Sequence, residues 1–142
     1  MVQTYEPWWP VPEAVGKRFL SAELSVVFPK ARVRLDQGYT NGEAIGPNVV
    51  VEFENVAAVT LHEEYVHPWN APNGEPQWPK GVYVAIVRNS EWVPSFSAGQ
   101  LAMYRDPVHY RFVTEFPIID VLCTCAPSAR SEPAPPYSDD VA

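Results

Sequence analysis

Sixteen prolines in 142 residues constrain this chain more than any other feature. That is more than twice the usual frequency. Proline lacks a backbone N–H and fixes φ, so it breaks helix interiors and keeps to loops, turns and sheet edges. The prolines gather at Pro7–Pro12, Pro68–Pro79 and Pro127–Pro136. Between them lie runs of another kind: Asn48–Tyr65 (NVVVEFENVAAVTLHEEY), Gly81–Asn89 (GVYVAIVRN) and His109–Cys123 (HYRFVTEFPIIDVLC). Each is rich in Val, Ile, Phe and Tyr, and each breaks at Asn, Gly or Pro. Such runs read as paired strands around a buried core.

Alternation assigns faces. Leu20, Ala22, Leu24 and Val26 point one way, and Ser21, Glu23 and Ser25 the other. After a turn at Pro29-Lys30, Ala31, Val33 and Leu35 alternate against Arg32, Arg34 and Asp36. This predicts a hairpin with one wet face. Gln37–Pro47 reads as a loop. Val49, Val51 and Phe53 turn inward, and a bulge or tight turn at Glu54-Asn55 leads into Val56–Tyr65 within one meander. Gly81–Asn89 is apolar on both parities, as a central strand would be. A last hairpin pairs His109–Thr114 with Ile118–Thr124. Short helices are expected at Pro12–Val15, with proline in its first turn, and at Ser97–Tyr104, where Ser97 and Gln100 have capping-box spacing.

The expected fold is one β-rich α+β domain, predominantly antiparallel β, over residues 1–125. It forms a sandwich or strongly curved sheet of about seven to eight strands with one or two short helices. Its core is drawn from Leu20, Leu24, Val26, Val33, Leu35, Val49, Val51, Phe53, Val59, Leu61, Val82, Val84, Ile86, Phe112, Ile119, Val121 and Cys123. Residues 1–12 form an aromatic, proline-bearing arm laid across the body. Residues 126–142 (APSARSEPAPPYSDDVA) carry almost no large apolar side chains and read as a flexible acidic tail.

The formal net charge is -7. An acidic surface repels phosphate backbones, which argues against nucleic-acid binding and suits a basic protein partner. Lys30, Arg32 and Arg34 alternate along one strand and read as a solvated face. Cys123 and Cys125 stand two apart on a strand, too close for an unstrained disulfide, so both are expected as free, buried thiols in a reducing compartment. The first residues lack the basic and apolar regions of a signal peptide, and no run approaches a membrane span. The expected location is the cytoplasm, with no membrane contact.

Little in the chain spells out chemistry. His62-Glu63-Glu64-Tyr65-Val66-His67 resembles a zinc-protease helix, but its histidines are five apart where that motif needs four. On a strand they face opposite ways, and on a helix they diverge by about 140°. A composite metal site could still add His109, yet no spacing demands it, and no cofactor is expected. No serine sits in a nucleophile elbow and no glycine-rich loop is built for phosphate. Trp8, Trp9, Trp69 and Trp78 all lie in proline-bearing loops. Loop aromatics offer rigid contact area at low entropy cost, and the competing reading is that they plug the ends of the core.

Val51–Trp69, then Asn89-Ser90-Glu91-Trp92, then HYRFVTEFPIIDVL at His109–Leu122 resemble a layout of small bacterial β-rich proteins. A meander leads to an N-S-x-W turn, and a closing hairpin ends in I-x-D-V-L. Several such proteins resemble immunity proteins that neutralise toxins by binding them. The resemblance covers about half the chain and implies binding without a catalytic residue. The resulting expectation is a non-catalytic cytoplasmic module that binds a basic protein through Trp69, Trp78, Glu63 and Glu64. Two alternatives stand beside it. One is a small-ligand or metal-dependent enzyme near His62, His67 and His109. The other is a structural subunit that forms a homo-oligomer through a strand edge.

Overall fold

The computed structural model describes residues 2–63, 81–115 and 117–137. Eleven strands run in chain order: β1 (Thr4–Pro7), β2 (Ser21–Val27), β3 (Lys30–Asp36), β4 (Tyr39–Thr40), β5 (Glu43–Ala44), β6 (Asn48–Phe53), β7 (Val56–His62), β8 (Val84–Arg88), β9 (Val108–Val113), β10 (Ile118–Cys123) and β11 (Ser128–Glu132). Sheet A has the order β1-β8-β9-β10-β7, sheet B the order β11-β6-β3-β2, and β4 and β5 form a two-stranded ribbon. Every pairing among them is antiparallel.

Among the described residues the strand count exceeds the expected seven or eight, and the expected helices shrink. Pro12–Ala14 is a single 3-10 turn. At Ser97 the capping box forms: Ser97 N–H donates to Gln100 Oε1 (2.7 Å) and Gln100 N–H to Ser97 Oγ (3.1 Å). Yet Ser97–Tyr104 continues only as successive turns. Only Leu101 and Tyr104 there are even half-buried, so the segment has no apolar face whose packing would hold a helix. The α in the expected α+β class is therefore confined to short turns, and the architecture is antiparallel β.

Sheets A and B share one core. Val33, Leu35, Val49, Val51 and Phe53 from sheet B meet Val84, Tyr110, Phe112, Ile119, Val121 and Cys123 from sheet A. Phe53 stands edge-on to both Tyr110 and Phe112, with centroids 5.4 and 5.9 Å apart. Such aromatic geometry adds to plain area burial. Trp8 packs its ring on Tyr110, so the N-terminal arm both extends sheet A as β1 and caps the core.

The chain changes sheet where a single meander was expected. Asn55 takes φ 53°, a left-handed conformation that asparagine tolerates, and β6 and β7 end up in different sheets. Two residues assigned to the core, Leu20 and Leu61, are exposed. Leu61 pairs with Ile119 and shares its face, but it lies near the end of β7, an edge strand, and is absent from the packed core. Leu20 lies just before β2, beside Gly38 and Ile45, outside the layered region. Cys125 is exposed while Cys123 is buried, and both are free. The segment expected as a loose tail begins instead with β11, paired along β6. Beyond it Tyr39 donates its hydroxyl to Pro135 O (2.5 Å), and its ring meets Tyr137 at 5.5 Å.

Candidate functional site

The outer face of sheet A carries an unusual load. β9 and β10 form a hairpin whose register sets Asp120 opposite Arg111 and Leu122 opposite His109. Side chains alternate, so Ile119, Val121, Tyr110 and Phe112 fill the core while His109, Arg111 and Asp120 share the other face. That face is not wet. Asp120 and His109 are buried, as is Arg111.

An isolated carboxylate in such a place would cost far more than folding can spare. Asp120 is accordingly surrounded. Its Oδ1 accepts from Arg111 Nε (2.9 Å) and hydrogen-bonds His109 Nε2. Its Oδ2 receives the Thr60 hydroxyl at 3.4 Å and lies 3.8 Å from His62 Nε2. Arg111 reaches onward, donating from Nη1 to the Tyr5 hydroxyl (3.2 Å) with its guanidinium 5.3 Å from the Tyr5 ring centre. Gln3 donates to the same hydroxyl (3.0 Å) and accepts from the Glu91 N–H (2.8 Å). One carboxylate on β10 thus ties together β1, β7, β9 and the loop after β8.

The loop is held by His109. Its Nδ1 lies 2.7 Å from Ser90 Oγ, and the Trp92 ring stands edge-on to it at 5.1 Å. An ionised Asp120 only accepts, so His109 Nε2 donates to it, and in the neutral imidazole Nδ1 is then the acceptor for the Ser90 hydroxyl. Ser90 Oγ in turn accepts from the Trp92 N–H (3.2 Å), which starts the 3-10 turn Val93–Ser95. Serine, histidine and aspartate thus form a proton chain. A shallow cavity of about 300 Å³ opens beside it, lined by Ser90, His109, Val87, Val93, Pro94 and Pro107.

Of the residues predicted to act, Trp69, Trp78, Glu64 and His67 lie outside the described residues. Glu63 is exposed just past β7. His62 and His109, suggested as joint ligands, do converge, but on the Asp120 carboxylate. Among the described residues no group of three or more His, Cys, Asp and Glu side chains is arranged to hold a metal ion. No described helix is long and apolar enough to cross a membrane.

Asp120, Arg111, Ser90 and Trp92 escaped the sequence reading as a unit. The signal was present: an aspartate inside the apolar run IIDVLC needs a partner, and the pairing of β9 with β10 puts Arg111 opposite it. The structure joins Ser90, Trp92, His109 and Asp120 in one network.

The outer face of sheet B behaves in the opposite way. Arg32 lies 3.2 Å from Glu52, Arg130 lies 3.1 Å from Glu52, and Lys30 lies 4.0 Å from Glu54. Of the alternating cations expected on β3, Arg32 is set beside Glu52 of β6 and Lys30 beside Glu54 just past it, while Arg34 lies opposite Val50. Arg130, first by hydrogen bond and then by charge, and Arg32 hold the Glu52 carboxyl below its usual range. No protein-family profile, curated protein or solved structure matches this chain.

Proposed function

We propose that this protein is a non-catalytic protein-binding module, immunity-like and cytoplasmic, whose partner is a basic protein. The surface charge supports this reading. Arg18, Lys30, Arg32, Arg88 and Arg130 are engaged in ion pairs with Glu115, Glu54, Glu52, Glu6 and Glu132. Glu13, Glu23, Glu43, Glu63, Glu91 and Asp106 are exposed and form no ion pair among the described residues. Among the described residues only Lys17 and Arg105 are exposed cations with no ion pair, so the unneutralised surface is net acidic. Such a field steers a cationic partner and speeds its encounter. Trp69 and Trp78 supply the desolvated anchors and Glu63 and Glu64 the charge.

The test is a tagged pull-down from the host lysate at low and moderate salt, read by mass spectrometry. One stoichiometric basic protein is expected, retained at low salt and lost in a folded Trp69→Ala/Trp78→Ala variant. Retention of that protein by the double variant at wild-type strength, or retention of no basic protein, overturns the proposal.

One observation favours a second reading, a small-ligand enzyme. Ser90 Oγ is hydrogen-bonded to His109 at the edge of a cavity. A fluorophosphonate probe decides between the two. Under the binding reading Ser90 stays unlabelled, whereas a stoichiometric adduct on Ser90 that His109→Gln abolishes makes the serine a nucleophile.

A further inference from the structure

Sheet B ends at β2, and its edge is unlike those of β1 and β11; the remaining edge, β7, also lacks proline but runs straight into residues outside those described. β1 contains Pro7, and β11 lies between Pro127 and Pro133 and carries Arg130 and Glu132. Proline and charge are the usual guards against strand addition. β2 has no proline within it and one charge, Glu23. Its core-facing Ala22, Leu24 and Val26 pack against the core yet stay only partly buried. Exposed apolar side chains flank it: Leu20 at 42% exposure before the strand, Val27 at 81% and Phe28 at 61% at its far end. The core is left uncovered along one seven-residue strand.

We propose that a second copy of this chain covers it, with β2 pairing antiparallel to β2 of that copy about a two-fold axis through Leu24. The strand itself selects this register. Leu24 is the midpoint of Ser21–Val27, so this axis overlaps the strand along its whole length. Leu24 then faces Leu24 of the second copy, Ala22 faces its Val26, and Leu20 meets its Phe28. On the wet side Glu23 faces Ser25 of the second copy. An axis through Glu23 would set two like charges opposite each other, which is unfavourable. An axis between residues would put apolar side chains opposite polar ones on both faces. The outward N–H and C=O groups of β2 gain partners, and two four-stranded sheets become one continuous sheet. The pairing is independent of any basic partner and needs only this protein to test.

Sedimentation equilibrium from micromolar to millimolar concentration reads the outcome. A reversible dimer of twice 15.9 kDa is expected. Glu23 and Ser25 are both exposed, so charge changes there leave the monomer folded, as circular dichroism checks. Ser25→Glu places an acid opposite Glu23 of the second copy at two symmetric positions and weakens the dimer roughly tenfold. Ser25→Lys tightens it. Glu23→Lys combined with Ser25→Glu restores it. A monomer throughout the range overturns the proposal. So does a dimer indifferent to these changes, which would use another face. Neither result bears on the lysate test of the basic partner.

Discussion

Two carboxylates, each on the outer face of a sheet and each flanked by cationic or imidazole groups from its neighbours, sit in opposite surroundings. Asp120 on sheet A has His109 and Arg111, and its side chain is 0% exposed. Glu52 on sheet B has Arg32 and Arg130, and its side chain is 39% exposed. The chemistry is similar and the energetics are not. In the sealed site every lost partner leaves a charge with nowhere to go, whereas on the wet face water takes the partner's place. The sheet A cluster therefore fixes which strands meet, and the sheet B ladder chiefly keeps that face hydrated.

The contrast breaks first at Asp120. Asp120→Ala leaves Arg111 buried without its counter-charge, and urea denaturation should show a loss of about 3–5 kcal/mol. A loss below about 1 kcal/mol, the size of an exposed pair, would erase the distinction between the two faces. Asp120→Leu with Arg111→Met removes both charges, and the same measurement should recover most of that loss. No recovery would mean that the polar network itself, rather than charge compensation, holds sheet A together.

Cys123 and Cys125 sharpen the same contrast two residues apart. Burial, and then the neighbouring Cys125, push the Cys123 thiol from 9.0 up to about 12. The folded protein keeps a proton that the unfolded chain releases. This stabilisation is complete below about pH 9 and fades as pH rises toward about 12. Denaturation midpoints should fall over that window and do so less steeply in Cys123→Val. Iodoacetamide at neutral pH should modify Cys125 alone, and early modification of Cys123 in the native protein would contradict its burial.

Glu52 gives the smallest effect. Glu52→Gln should leave the denaturation midpoint within replicate scatter, at both low and high salt. By NMR, Glu52 should titrate below 4.5, and Arg130→Ala should move it upward, since Arg130 is the main cause of the lowering. A large stability loss in Glu52→Gln would make the ladder structural after all.

The strands were legible because alternation and punctuation are local. Pro29 and the break between Thr114 and Ile118 mark real chain reversals, Asn55 marks the passage from one sheet to the other, and the β9–β10 register follows from the second of these reversals. Sheet membership was not legible. Nothing near Glu54-Asn55 says that β6 pairs with β3 and β11 while β7 pairs with β10, because those partners lie far along the chain. β11 was hidden for a related reason. SARSE has no apolar stripe of its own and becomes a strand by borrowing the edge of β6. The polar network was half legible: Asp120 declared itself by its apolar neighbours, but Ser90 and Tyr5 reach it through tertiary contacts that no spacing encodes.

β11 also sets a timetable. Its partner β6 holds Val49, Val50 and Val51, a run buried on both faces. A ribosome delivers β2, β3 and β6 early, so that three-stranded meander can close by local contacts. The free flank of β6 must then wait until Ser128–Glu132 emerges. Through most of translation the most apolar strand of sheet B is therefore an open template, and nascent chains on one message are most apt to misjoin there.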